Sequence, residues 1–294
     1  MESRVVVIRT EDRREGTVRA LRALGANPVR GRRTLIKPNF NTADQAPGST
    51  HNDTLAALIR ELRAMGAASL EVGERSGPPL TADVVREKGV DLLLAELEVP
   101  FIDFDRLAPA DWLEYRREDL AWRKGFLYPA PVERAEAVVA TCCLKTHAHG
   151  GVFSMSLKLA VGLVPRRGYE YMKELHSSSQ MRRMIAEINL CYSPALILMD
   201  GVDVFTDGGP DRGTRKRAGV MVAGTDRVAV DAVGLAILKV LGSNQEIMHT
   251  PIFEQEQIAR AVELGLGVSS PEEIQLTGDD DAYLEEIRKA LREG

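Results

Sequence analysis

Cysteine is scarce in this sequence, with three in 294 residues, and two of them, Cys142 and Cys143, are adjacent. Such spacing builds no disulfide framework and points to a reducing compartment. No Cys-x-x-Cys occurs, so the chain alone has no usual means of ligating a cubane iron–sulfur cluster. No apolar run approaches the roughly 20 residues needed to cross a bilayer. The longest, Val228–Leu241, is interrupted by Asp231 and Lys239. The first residues, Met1-Glu2-Ser3-Arg4 and a short valine run before Glu11–Arg14, lack a secretory layout. Cytoplasmic location is therefore expected, with no membrane partner. Aromatic residues are only 5% of the chain, and the acid-free basic stretch from Ala137 to Tyr169 is too small and too poor in them for a nucleic-acid footprint. The phosphate-cradling Gly-x-x-x-x-Gly-Lys-Ser/Thr is absent, as are His-Glu-x-x-His and Gly-x-Ser-x-Gly. Gly265-Leu266-Gly267 follows a helical pattern instead of joining strand to helix, so it is no dinucleotide fingerprint.

What is present is a globular mix, 44% apolar and 28% charged, which excludes a disordered chain or a fibre. The net charge of −5 resides entirely in Pro271–Gly294, which holds eight acidic and three basic residues. Between Ala137 and Tyr169 there is no Asp or Glu at all, while Lys145, His147, His149, Lys158, Arg166 and Arg167 accumulate. This stretch reads as an anion-attracting region, or as a basic stretch that acids from elsewhere in the chain neutralise.

Short apolar runs alternate with amphipathic helical patterns, which predicts an α/β fold with a mainly parallel sheet flanked by helices. Strands are expected at Val5–Ile8, Thr34–Lys37, Ser69–Val72, Ala137–Cys142, Ala195–Met199 and Ala218–Val222. Helices are expected at Thr17–Leu24, from Asn52 to Gly66, at Asp226–Leu241 and Ile252–Leu264, and as an acidic terminal helix at Asp281–Arg292. No repeat or linker divides the chain, so residues 1–294 read as a single α/β domain, with or without a small appended lobe. Residues 104–131, where Trp112, Tyr115 and Trp122 sit among charges, read as an insertion, a lid or an irregular hairpin.

Chemistry-bearing residues gather where strands end, the edge at which open α/β sheets bind ligands. Lys37 and Asn39 follow one strand and are suited to an oxyanion or carbonyl, or to shaping a turn. His51 precedes a helix, beside Thr50 and Asn52 as natural N-caps. Lys145, His147 and His149 extend an apolar strand on one side and lead into Gly150-Gly151, where backbone can approach a ligand closely. Lys158 opens a short helix ending near Gly162; His176 lies beyond it; Asp200 ends another strand at Gly201. Buried cysteines and a capping Asp226 are structural expectations.

These pieces in this order resemble the domain of unknown function 362 family. The resemblance is carried by Ile36-Lys37-Pro38-Asn39, Thr50-His51, Lys145-Thr146-His147, Ser156-Leu157-Lys158 with Gly162-Leu163-Val164-Pro165, His176, Asp200-Gly201, Gly208-Gly209-Pro210 and Gly224–Asp231, over roughly residues 34–270. Two departures stand out. Leu159 occupies a position where members often carry Asn, and the ferredoxin-like cysteine segment of many members is missing. The resemblance implies a catalytic or cofactor-handling α/β module, here without an iron–sulfur cluster.

The combined expectation is an enzyme for a small anionic substrate, with catalytic Lys145, His147, Lys158 and Asp200. Lys37, Asn39, Lys145 and Lys158 would bind the substrate, and His51, His147, His176 and Asp200 would hold a divalent metal ion. The alternative is a non-catalytic module for an anionic cofactor or redox partner. If the sheet is parallel, Lys37, His51, Lys145, His147 and Asp200 should line one pocket.

Overall fold

The computed structural model describes residues 2–166 and 168–293, so Arg167 lies outside the described residues. Its strands are β1 (Ser3–Arg9), β2 (Arg33–Lys37), β3 (Ser69–Glu74), β4 (Phe101–Asp103), β5 (Trp112–Tyr115), β6 (Phe126–Pro129), β7 (Ala137–His147), β8 (Val152–Phe153), β9 (Pro194–Gly208), β10 (Gly213–Gly224) and β11 (Ile274–Gly278). Among the described residues nine strands form one sheet in the order β11-β1-β10-β9-β7-β2-β3-β4, with β8 folded back on β7. β10 runs against both of its neighbours and β8 against β7. The pairings β1–β11, β9–β7, β7–β2, β2–β3 and β3–β4 are all parallel. The sheet is therefore mixed but mostly parallel, as the alternating pattern predicts.

Both faces are covered, which explains why the central strands are apolar almost throughout. On one face Ala140, Cys142, Leu144, Ile197 and Met199 pack on the helix Arg227–Leu241. That helix is buried nearly all round, and Asp226 caps it by accepting from the Val228 and Ala229 amides at 2.8 and 3.0 Å. On the other face Val6, Ile8, Val139, Leu198 and Val202 pack on the helices Arg13–Leu24 and Asn52–Ala64. No helix of the described residues is long and apolar enough to cross a membrane.

Residues 104–131 contain the antiparallel hairpin β5–β6. Trp122 and Phe126 join a third core with Leu35, Val138, Leu175 and Met184. The Trp122 indole donates to the Met184 carbonyl at 3.0 Å, so this hairpin is packed into the body of the protein.

Two strands run further than their apolar stretches. β7 continues past Cys142 through Lys145 to His147, and β9 continues through Asp200 and Gly201 to Gly208. Polar residues in those extensions look like loop in the sequence, yet pairing with β9, β8 and β10 keeps them extended. The expected helix Ile252–Leu264 is split into a single turn, Ile252–Glu254, and the helix Glu256–Glu263.

Candidate functional site

A cleft of about 890 Å³ opens at the C-terminal ends of β2, β3 and β7. Lys37 is the last residue of β2 and Glu74 the last of its parallel neighbour β3, so the two side chains meet with Nζ and Oε1 2.6 Å apart. Both are almost fully buried. Lys37 also donates to the Pro38 carbonyl, and Glu74 accepts from the Phe40 and Arg75 amides at 2.9 and 2.8 Å. Burial pushes the Lys37 ammonium down and the Glu74 carboxyl up, while each counters the shift of the other. Gly162 makes the packing over this pair possible, because a Cβ there would stand 2.5 Å from Glu74 Oε1.

Beside the pair, Arg75 is buried and donates to the Ser76 and Val161 carbonyls. Burial lowers its pKa to about 10, so it remains a cation at neutral pH. Lys145 is also buried, and its ammonium donates to the carbonyls of Gly48 and Pro210, tying two loops to the rim. Asn39 reaches the same wall, donating to the Gly48 carbonyl at 3.3 Å. Arg166 is held by Asp105 at 2.8 Å and by carbonyls of the 76–79 loop.

His147 and Lys158 occupy the middle of the cleft. Each packs on Gly151, where a Cβ would lie 2.8 Å from His147 Nδ1 and 3.1 Å from Lys158 Cε. That Nδ1 is buried with no hydrogen-bond partner among the described residues. Burial first, then the charges of Lys158 and Lys145, push the His147 pKa down to about 2, so the imidazole is neutral. Next to its β-partner, Val152 holds φ at +65°, a region a β-branched residue enters only under constraint.

Lys158 is carried by a short helix, Ser156–Leu159. The turn is fixed by Asp231, which accepts from the Ser156 amide and hydroxyl and the Leu157 amide at 2.8, 2.6 and 2.9 Å. Lys158 itself is half-buried, facing the cleft. Burial, followed by repulsion from Lys145 and Arg75, lowers its pKa to about 7. His149 and His176 are exposed at the mouth, and the His149 ring meets that of His147 edge-on at 5.7 Å.

The cleft thus unites Lys37, Asn39, Lys145, His147, Lys158 and His176, but not Asp200 or His51. Because β9 does not end at Gly201, strand alternation turns Asp200 to the opposite face, along with Leu198 and Val202. There its Oδ2 accepts from Arg13 Nε at 2.8 Å and from Thr54 Oγ1 at 2.7 Å, and Arg13 also holds Asp203. His51 is the N-cap of the helix Asn52–Ala64: its Nδ1 accepts from the Asp53 amide at 3.0 Å, a task expected of Thr50 or Asn52. The set His51, His147, His176 and Asp200 is therefore not one metal centre. Among the described residues no group of three or more His, Cys, Asp or Glu is placed to hold a metal ion. Glu74 and Arg75 were missed in the sequence, although a charged pair ending an apolar strand is the same signal that singled out Lys37.

A doubly covered, mostly parallel sheet with a cationic cleft at its strand ends defines an α/β fold, and the strand-end edge is where such folds usually place ligands. The family described as domain of unknown function (DUF362) matches residues 34–236, most of the chain, and the chain belongs to that family. No curated protein matches it. Among solved structures it is similar to the lactate racemase apoprotein from Thermoanaerobacterium thermosaccharolyticum, with a TM-score of 0.53 and 15% identity. The likeness covers 79% of this chain and 57% of that protein's, and it concerns the fold alone.

Proposed function

We propose that the cleft is the active site of an enzyme acting on a small anionic substrate, with Arg75 and Lys145 binding the anion. Lys158 and His147 are the proton-transfer pair, and Asn39 orients the substrate beside them. The observation that carries this reading is the unpaired positive charge. Arg75, Lys145 and Lys158 line one cleft without an ion pair to any of them among the described residues; of the cleft's two carboxylates, Glu74 is committed to Lys37 and Asp211 lies beyond ion-pair distance of the three. Lys37 accordingly fixes Glu74 instead of binding substrate, and Asp200 stabilises the fold. A metal ion is not part of this reading, because the cations of Arg75 and Lys145 that line the cleft would repel a dication. Three free, buried cysteines suit a reducing compartment such as the cytoplasm.

A second reading, a non-catalytic module for an anionic cofactor, draws on the cleft's volume, which exceeds that of a small acid. The test of the site is thermal stabilisation by phosphate and by succinate. The shift should be lost in Lys145→Ala and Lys158→Ala; a wild-type shift in both variants would place the anion elsewhere. Turnover separates the two readings: proton transfer by Lys158 and His147 at the carbon next to the carboxylate would exchange the hydrogens of succinate there with D2O, and a binding module would not.

A further inference from the structure

We infer that Lys158 is a nucleophilic amine that captures the carbonyl carbon of a 2-oxo acid as an imine, with His147 relaying the protons. The inference rests on the anion-binding reading above and names its substrate class.

The three lysines of the cleft are not equivalent. Lys37 is spent on Glu74 and the Pro38 carbonyl, and Lys145 is tied as a donor to the carbonyls of Gly48 and Pro210, which leaves it one N–H for an anion but no free electron pair. Lys158 alone has no hydrogen bond or ion pair among the described residues, and its side chain faces the cleft. An amine serves as nucleophile only when unprotonated, and nearby cations with little water favour that state. Lys145 and Arg75 supply the charge, while Met155, Leu159 and Met172 supply apolar lining. The Asp231 cap holds the Lys158 turn rigid, so the amine is positioned before substrate arrives.

The same cations restrict the electrophile. A carboxylate directly bonded to the carbonyl carbon can rest on Arg75 and Lys145 while the carbonyl meets Lys158 Nζ. Anion binding also offsets part of the positive field on His147, so its unpartnered Nδ1 becomes a better proton acceptor on loading.

The chemistry balances without a further reactant. Nζ adds its lone pair to the carbonyl carbon, the C=O π pair moves to oxygen, and His147 Nδ1 passes the ammonium proton to that oxygen. In the resulting carbinolamine His147 takes the remaining N–H proton and gives it to the hydroxyl, which leaves as water while the nitrogen electron pair forms the C=N bond. Both amine protons thus end on the water, and the product is the neutral imine.

The experiment is reductive trapping. Wild-type protein is incubated with glyoxylate, pyruvate or 2-oxoglutarate and cyanoborohydride, and its peptides are mapped by mass. A parallel thermal-shift series uses propionate and phosphate, which carry no carbonyl. A reduced adduct concentrated on Lys158, absent in folded Lys158→Arg and formed about 100-fold more slowly in His147→Gln, is the expected result. A shift with propionate or phosphate but no Lys158 adduct from any of the three acids overturns the imine and leaves the anion site standing. Neither shift nor adduct overturns both. Labelling spread over surface lysines, equal in Lys158→Arg, also overturns the imine.

Discussion

A lysine without a partner, crowded by protein and by two other cations, is an energetic liability for the fold. Removing it should therefore stabilise the protein while disabling the cleft, the usual exchange at strained functional positions. Lys158→Met is expected to raise stability by about 0.5–2 kcal/mol and to abolish the phosphate-induced shift. The sign of the pH dependence follows from the shift. Because the folded-state pKa is lowered from 10.5 to about 7, the stability linked to Lys158 is complete above pH 10.5 and is lost as pH falls toward 7. The gain from Lys158→Met should be largest at pH 7 and below and should vanish near pH 10.5. Melting curves of both proteins across that range decide it, and a pH-independent gain would remove the argument. Lys158 and Lys145 were legible in the sequence because an acid-free run of lysines and histidines is rare. Asp200 was misplaced because sequence shows that a carboxylate follows an apolar run, but not whether the strand has ended there. Because β9 runs on to Gly208, strand alternation at Asp200 decides which face it serves.

At the scale of elements, the short helix bearing Lys158 has only four residues and cannot stand alone. Its conformation is imposed from outside by Asp231, which sits in the first turns of the long helix Arg227–Leu241. Asp231 is fully buried, and burial pushes its carboxyl up to about 6 against the donors from Ser156 and Leu157. In Asp231→Asn one acceptor oxygen survives, but the amide nitrogen would then face a donor. The expected loss at neutral pH is about 1–3 kcal/mol, accompanied by a weaker phosphate shift. Val233→Ala, a core substitution in the same helix, is the control: it should destabilise comparably and leave the phosphate shift intact. Equal weakening in both variants would reduce Asp231 to a structural cap. The long helix was legible from its apolar run and Asp226. The helices Thr81–Glu87 and Val90–Glu96, and the edge strand β11, were not, because each is short and takes its stability from neighbours.

Over the whole molecule, the sheet divides the polar chemistry into two sets that the linear order interleaves. The cleft set lies over the ends of β2, β3 and β7. The other, Arg13, Thr54, Asp200 and Asp203 with His51 nearby, lies between the sheet and the helices of its second face. The strand-end rule led to the edge where the cleft opens but carried no information on faces, which is why two of the five residues expected in one pocket fall outside it. The separation has a measurable consequence. Asp200 is 1% exposed and shares Arg13, itself mostly covered, with Asp203, so Asp200→Asn removes one of the two carboxylates on that cation and weakens the buried acceptor for Arg13 Nε and Thr54 Oγ1. Weakening such buried, charge-assisted bonds costs about 1–3 kcal/mol. Yet the contacts of Arg75, Lys145 and Lys158 do not pass through Asp200. Urea unfolding should show Asp200→Asn destabilised, while phosphate still raises its melting temperature as much as in the wild type. Lys158→Met should show the reverse, with gained stability and no phosphate shift. If Asp200→Asn instead loses the phosphate response at temperatures where it remains folded, the two faces are coupled. The carboxylate would then belong to the working site after all.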